Sequence, residues 1–466
     1  MKPLTQTLPL LLLLVGILAL GACEKAETQD SPPKSGSKPG GGSATSGTAL
    51  DEVFDRKSQP WAFVLPSMPA PVPIPGLRAE DCGKCHETIY KEWKGSTHSH
   101  ALSDLQFQAE LAKKDSPRWL CLNCHTPLED QRARLTLGLE DGDVMKPVQT
   151  ENPRFDPVLR AEAVTCAVCH VRMDAQGKSY IRGVYGSKHA PHPVRKDPER
   201  LRSICLRCHD PVGEPITKNL LCWFTTRKEL VDGGGEATDC LTCHMPTKYR
   251  LLVESMPDLP IRKVHRHTWP GAGVPKTYEG YDPLLRSGWK SGLTIQTRRS
   301  GDKVIVTLFN GHAGHAVPTA DPERFVQVRL RAFDKEGKQI SEGKERIGQT
   351  WAWNPARKLG DNRIGPGEKR ELSFTPAPSA ARLVLDVLNV RLGKSTAEHM
   401  VKTKDLDEQL LPHANQLIKR LRHLYPFATY VYRATWDGDE AKVAEPKALI
   451  ELSKKERSLP IADRSY

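Results

Sequence analysis

The sequence predicts a mixed fold: a loop-rich, mainly α-helical part over 79–290, an antiparallel β-sandwich over 291–400, and an amphipathic helix with a tail over 401–466. Three observations predict it. The motif CxxCH occurs five times between residues 82 and 244, period-two apolar alternation sets in near residue 292, and an apolar stripe of helical spacing covers 410–425.

The five motifs are Cys82-Gly-Lys-Cys85-His86, Cys121-Leu-Asn-Cys124-His125, Cys166-Ala-Val-Cys169-His170, Cys205-Leu-Arg-Cys208-His209 and Cys240-Leu-Thr-Cys243-His244. CxxCH is the attachment signature of c-type haem: each Cys pair forms thioethers to the vinyl groups and the following His binds the iron from the proximal side. Chance would give the motif on the order of 0.01 times in a chain of this composition, so five copies are no accident. Zinc would combine two Cys pairs into one set of four ligands and gives a His after every pair no reason to recur. The expectation is five covalent haems. Successive second cysteines lie 39, 45, 39 and 35 residues apart, a repeat of sites rather than of a solenoid sequence. Short helices are expected at or just after several motifs, as at 87–93.

Composition agrees. The 466 residues suffice for two or three domains, yet only 38% are apolar and 6% aromatic, which is lean for that length. Haem macrocycles would replace much of the missing side-chain core. The formal charge of +12 is no mark of nucleic-acid binding. Loss of a leader and the charges of ten propionates and five irons bring it to about +6 oxidised and about +1 reduced.

Residues 1–23 read as a lipoprotein signal peptide: Lys2, the apolar run 8–20, then Leu20-Gly21-Ala22-Cys23, with Cys23 the lipidation site. The run is short for a transmembrane span. Residues 24–50, rich in Ser, Gly and Pro, read as a disordered tether, and 51–78 as a Pro-rich strap. Twelve cysteines divide into ten for haem, Cys23 for lipid, and Cys222, which is expected to be a buried apolar residue. The address is the periplasmic side, lipid-anchored. Glu24 after Cys23 favours the outer over the inner membrane.

Iron needs sixth ligands as well. Of the eleven other His, eight form four close pairs: His98 with His100, His189 with His192, His265 with His267, and His312 with His315. One of each pair is expected to be a distal ligand. Flanking residues favour His98, His267 and His315, while His189 and His192 remain equivalent. The fifth iron would take the remaining His of that pair, His100, or nothing.

In the second half, the stretches at 303–309, 325–333 and 383–392 alternate with period two, separated by turn signals Ser300-Gly301-Asp302, Lys335-Glu336-Gly337 and Gly365-Pro366-Gly367. His312 and His315 sit in the first loop of this sandwich, which would hand a ligand back to the haem part. Residues 410–425 read as one amphipathic helix with Pro412 in its first turn.

Trp93-x-x-Ser96-x-His98, Val164-Thr-Cys-Ala-Val-Cys-His170, Cys-His244-Met-Pro246 and Asn310-x-x-Ala-Gly-His315-x-x-Pro-Thr319 resemble multihaem c-type cytochromes of the cytochrome c-554 type, within the superfamily of hydroxylamine oxidoreductase and pentahaem nitrite reductase. The resemblance covers about 79–390. It implies a pentahaem cytochrome domain with closely packed, mostly bis-His haems. No CxxCK occurs, unlike the nitrite reductases, and five sites are too few for the oxidoreductases.

The expected function is single-electron relay between a membrane donor, such as a quinol-oxidising complex, and a periplasmic or outer-surface acceptor, such as another cytochrome or a terminal reductase. Bis-His iron has no open position, so no catalytic residue is expected on this reading. The alternative is a reductase or oxidase of a small nitrogen or sulfur compound at one five-coordinate haem, with His100, Arg182, Tyr185 and His192 as candidate helpers. A sensor or a subunit of a surface conduit is a third class, for which the sequence offers no feature.

Overall fold

Three of the five motifs lie wholly on short helices, Arg118–His125, Cys166–His170 and Cys240–His244, and a fourth lies on Leu206–His209 with Cys205 at its cap position. The helical period explains why. Positions i, i+3 and i+4 share one face, so a single turn aims both sulfurs and the imidazole the same way. The first motif differs, with Cys82 on helix Ala79–Gly83 and His86 at the cap position of Glu87–Lys94. Helices follow the first motif as expected, but elsewhere the motif is itself the helix. Segments this short are not stable alone and need packing partners.

The computed structural model describes residues 76–174, 176–211, 216–222, 224–235, 240–277 and 289–466, all within one compact unit. The signal peptide with Cys23, the tether 24–50 and the strap as far as residue 75 lie outside the described residues. Among the described residues no helix is long and apolar enough to cross a membrane.

The haem-motif part carries only small sheets. β1 (Arg134–Leu139) pairs with β2 (Pro147–Glu151), β3 (Val171–Met173) with β4 (Ser179–Gly183), β4 in parallel with β5 (Val194–Lys196), and β6 (Thr247–Arg250) with β7 (Arg262–His265). Its side-chain core is slight: one cluster around Leu128, Leu159 and Val168, and another of Trp119 and Leu120.

The second part is the expected β-sandwich. One sheet has the order β13-β9-β8, from β8 (Thr294–Ser300), β9 (Lys303–Phe309) and β13 (Lys369–Phe374). The other runs β12-β11-β10-β14-β15-β16, from β10 (Phe325–Phe333), β11 (Gln339–Trp353), β12 (Ala356–Asp361), β14 (Arg382–Val390), β15 (Ala428–Trp436) and β16 (Lys442–Val443). Alternation along the strands puts Val304, Val306 and Leu308 of β9 against Val328 and Leu330 of β10 and Leu385 of β14. The even-numbered positions of β14 alternate to its other face, where Leu105, Ile418 and Leu421 cover Leu388 and Val390.

Two expectations change. The sandwich does not end at 400, since β15 is an interior strand contributed from beyond it. The run 410–425 is broken into Ala414–Leu417, a 3₁₀ turn Ile418–Arg420 and Leu421–Leu424, with His413 at φ 62° just before it, so Pro412 precedes the helix rather than opening it. The longest closing helix is instead Pro446–Ser458, with Pro446 at its first position, packed on β15.

Candidate haem cavity and its histidine pairs

All ten motif cysteines and all five motif histidines line one cavity of about 3430 Å³. A pocket for one small molecule measures about 300–1,000 Å³. The space therefore suits several macrocycles. Inside it the motifs meet in twos: the Cys82 thiol reaches Cys166, Cys124 reaches Cys208, and Cys205 reaches Cys240. None of the motif cysteines forms a disulfide. Motifs one and three, two and four, and four and five are thus neighbours.

The imidazoles are oriented by backbone carbonyls. His86 Nδ1 bonds Leu252 O at 2.9 Å, His125 Nδ1 bonds Ala101 O at 2.7 Å and His170 Nδ1 bonds Arg182 O at 2.8 Å. His267 Nδ1 bonds His265 O at 3.1 Å, and His315 Nδ1 bonds Ala316 O at 2.9 Å. A proton held on Nδ1 leaves the Nε2 lone pair free for a metal. Burial supports the neutral form: it lowers the pKa of His98 and of His267 to about 3 and of His244 to about 4, with neighbouring histidines adding to each shift.

Three motif rings each face a second ring. The centroids of His209 and His98 are 6.0 Å apart, those of His170 and His267 6.1 Å, and those of His244 and His315 6.3 Å. Each ligating nitrogen sits about 2.0 Å from its metal and roughly 1.1 Å from its ring centre, so two imidazoles across one metal stand about 6.2 Å apart. At that spacing the two rings of each pair would be able to hold one metal ion between them. Among the described residues, no set of three or more His, Cys, Asp or Glu side chains converges as a metal site made of protein alone.

Local structure places the second rings. Trp269 packs edge-on against His98 at 4.3 Å. Asn310 is buried at the end of β9; its Nδ2 donates to His315 O and Ile364 O, and its Oδ1 accepts from Ala313 N, which fixes the loop that carries His315. His192 is half-buried, lies near enough to His86 to interact electrostatically, and leaves its buried Nδ1 without a hydrogen bond. His189 is exposed. The structure therefore separates two residues that the sequence left equivalent.

His125 is different. Among the described residues its ring contact is with Phe107, stacked at 3.4 Å and 3°. Asp104 caps helix Leu105–Leu111, accepting from Phe107 N at 3.1 Å, and so sets Phe107 in place. Asp104 also pairs with Arg391. Beside them half-buried Lys276 lines the cavity, and desolvation with its cationic neighbours Arg391 and Arg324 holds its pKa well below the usual lysine value.

The four candidate helpers all line the cavity, each with its own partner. Arg182 gives its carbonyl to His170, Tyr185 donates its hydroxyl to Lys263 O at 2.9 Å, His192 lies by His86, and His100 bonds Ser96 O and Ser99 Oγ. Cys222 is exposed to the cavity near Cys121 and Cys208 rather than packing in a side-chain core.

Residues 81–171 match the family described as cytochrome c554 and c-prime. The fold is similar to that of a penta-heme cytochrome c552 from Thermochromatium tepidum, with a TM-score of 0.51 at 20% identity over 77% of this chain and 98% of the other. No curated protein matches the chain. Fold and motifs together resemble those of multihaem c-type cytochromes, and the family match is confined to residues 81–171.

Proposed function

We propose that the chain is a pentahaem c-type cytochrome that relays single electrons, held by a lipid on Cys23 at the periplasmic face of a membrane, the outer rather than the inner. The haem would supply reversible one-electron exchange at iron. The chain would hold it with the five Cys pairs and orient it with paired imidazoles. The observation that carries the reading is the spacing of 6.0–6.3 Å in three histidine pairs. On it, His170 and His267 would hold one iron, His209 and His98 a second, and His244 and His315 a third. His86 with His192 would make a fourth. Contacts between motifs one and three, two and four, and four and five, with Cys169 of motif three near Cys205 and Cys208 of motif four, support a continuous path, with a donor and an acceptor protein at its ends.

A specific observation favours a second reading. No described histidine ring faces His125 as the partner rings face the other three, and the guanidinium groups of Arg324 and Arg391 line the same cavity. That arrangement suits a small anion at an iron with an open position, reduced by electrons from the other four.

Low-temperature electron paramagnetic resonance of the oxidised holoprotein, with a haem assay, tests both. The expected result is five haems per chain, with four low-spin centres. A high-spin centre unmoved by nitrite or hydroxylamine, with no turnover of either by the reduced protein, supports the carrier. A shift on adding nitrite, together with turnover, supports the reductase. Loss of the four low-spin centres would overturn the pairing.

A further inference from the structure

We infer that Glu92 is a positioning residue that fixes His267 across from His170 and sets the reduction potential of the haem between them. The inference rests on the pairing proposed above and goes beyond it. Glu92 is on helix Glu87–Lys94, which His86 caps, and so belongs to the chain of the first motif.

Its carboxylate is fully used. Oε1 accepts from Arg250 Nη1 at 2.8 Å and Arg266 Nε at 3.2 Å, and Oε2 accepts from Arg250 Nη2 at 2.9 Å and from the His267 backbone N–H at 2.9 Å. The three side chains are 11–15% exposed, where charge-assisted bonds of this kind are strongest. Arg250 does a second job, since its Nη2 also donates to His265 O at 3.2 Å, the same carbonyl that bonds His267 Nδ1 at 3.1 Å. The group therefore holds both the backbone of His267 and the acceptor that orients its ring. Outer partners of this sort fix ring rotation and ligand basicity.

The neighbouring residue acts on the other side. Trp93 Nε1 donates to Val164 O at 2.8 Å, just before Cys166. Adjacent helix residues point in different directions. One helix turn thus grips the segment of the proximal His170 through Trp93 and that of the distal His267 through Glu92.

Removing the carboxylate charge would leave two buried guanidinium groups uncompensated beside the ligand. Extra positive charge disfavours the oxidised iron, so the potential rises. Three holoprotein variants test this: His267→Ala, Glu92→Gln and Glu92→Asp, each assayed for haem content and followed by electron paramagnetic resonance and redox titration. His267→Ala identifies the signal by turning one low-spin centre high-spin. Glu92→Gln is expected to shift the g values of that same centre and raise its reduction equilibrium constant about tenfold, about 59 mV for one electron. Glu92→Asp is expected to restore part of both, because the charge remains. If His267→Ala changes no low-spin signal, the pairing falls and the inference with it. If it does and Glu92→Gln leaves that signal and its potential unchanged with haem content intact, Glu92 is no positioning residue although the pairing stands.

Discussion

The two halves of the chain fill their interiors by different means. Between the sheets of the sandwich, Val304, Val328, Ile347 and Leu385 are wholly buried and form one continuous cluster. In the haem-motif part, the two clusters around Leu159 and Trp119 are separate, and the large space between the motif helices is lined rather than filled. A macrocycle in that space would add the apolar burial that these small clusters lack. The sandwich carries its own core, whereas the haem part has only those clusters.

The largest effect should come from denying the first half its cofactor. A full-length chain with all ten motif cysteines changed to serine is expected to exchange backbone hydrogens rapidly across residues 76–277. Protection would persist in β9, which pairs with β13 and β8, and in β10 and β14, which pair with each other and with β11 and β15. Equal protection in both halves would show that the haem part folds on side chains alone. Loss in both would show that the sandwich borrows stability from the haem part through the cluster that joins Leu105 to Leu388.

Within the sandwich, the strongest single test is Asp386. Its side chain is fully buried and accepts from Arg329 at 3.0 Å, Arg331 at 2.7 Å and Arg433 at 2.6 Å. Asp386→Ala would strand these cations and cost about 3–5 kcal/mol, read from denaturation or from hydrogen exchange in β14. Burial opposes its charge, but Arg433 and then Arg331 and Arg329 outweigh that and hold its pKa below the usual value. The stabilisation is therefore complete above the unfolded carboxylate pKa of about 3.9 and is lost as pH falls through the lower folded value. Sandwich protection in the parent chain should be level from about pH 8 to 5 and fall in acid. The variant should lack that contribution at every pH.

The same contrast explains what was legible in the sequence. Covalent attachment demands Cys, Cys and His in one short stretch, so all five motifs could be read directly. His98, His267 and His315 stood out by their neighbours, and Trp269 and Asn310 indeed pack or bond beside them. Preferring His192 to His189 required burial, which no local pattern carries. Phe107 beside His125 was hidden for a similar reason, since its role depends on a helix capped by Asp104 crossing a distant motif. β15 was legible and missed. Ala428-Thr-Tyr-Val-Tyr-Arg-Ala-Thr-Trp436 is rich in β-branched and aromatic residues, but the leucines before it drew the whole C-terminus into a helical reading.

The smallest effect should come from an ion pair whose distance resembles those around Asp386. Arg134 Nε and Glu151 Oε1 are 2.8 Å apart across β1 and β2, yet their side chains are 64% and 74% exposed. Water screens the attraction and each long side chain loses freedom in making it, so such pairs contribute about 0–1 kcal/mol. Arg134→Ala in the holoprotein should shift stability by less than about 0.5 kcal/mol, and less still at high salt. Denaturation midpoints in low and high salt provide the measurement. A loss comparable to that of Asp386→Ala would mean that the β1 and β2 ribbon is covered in the working protein, because only desolvation could give a bond of that length so large an effect.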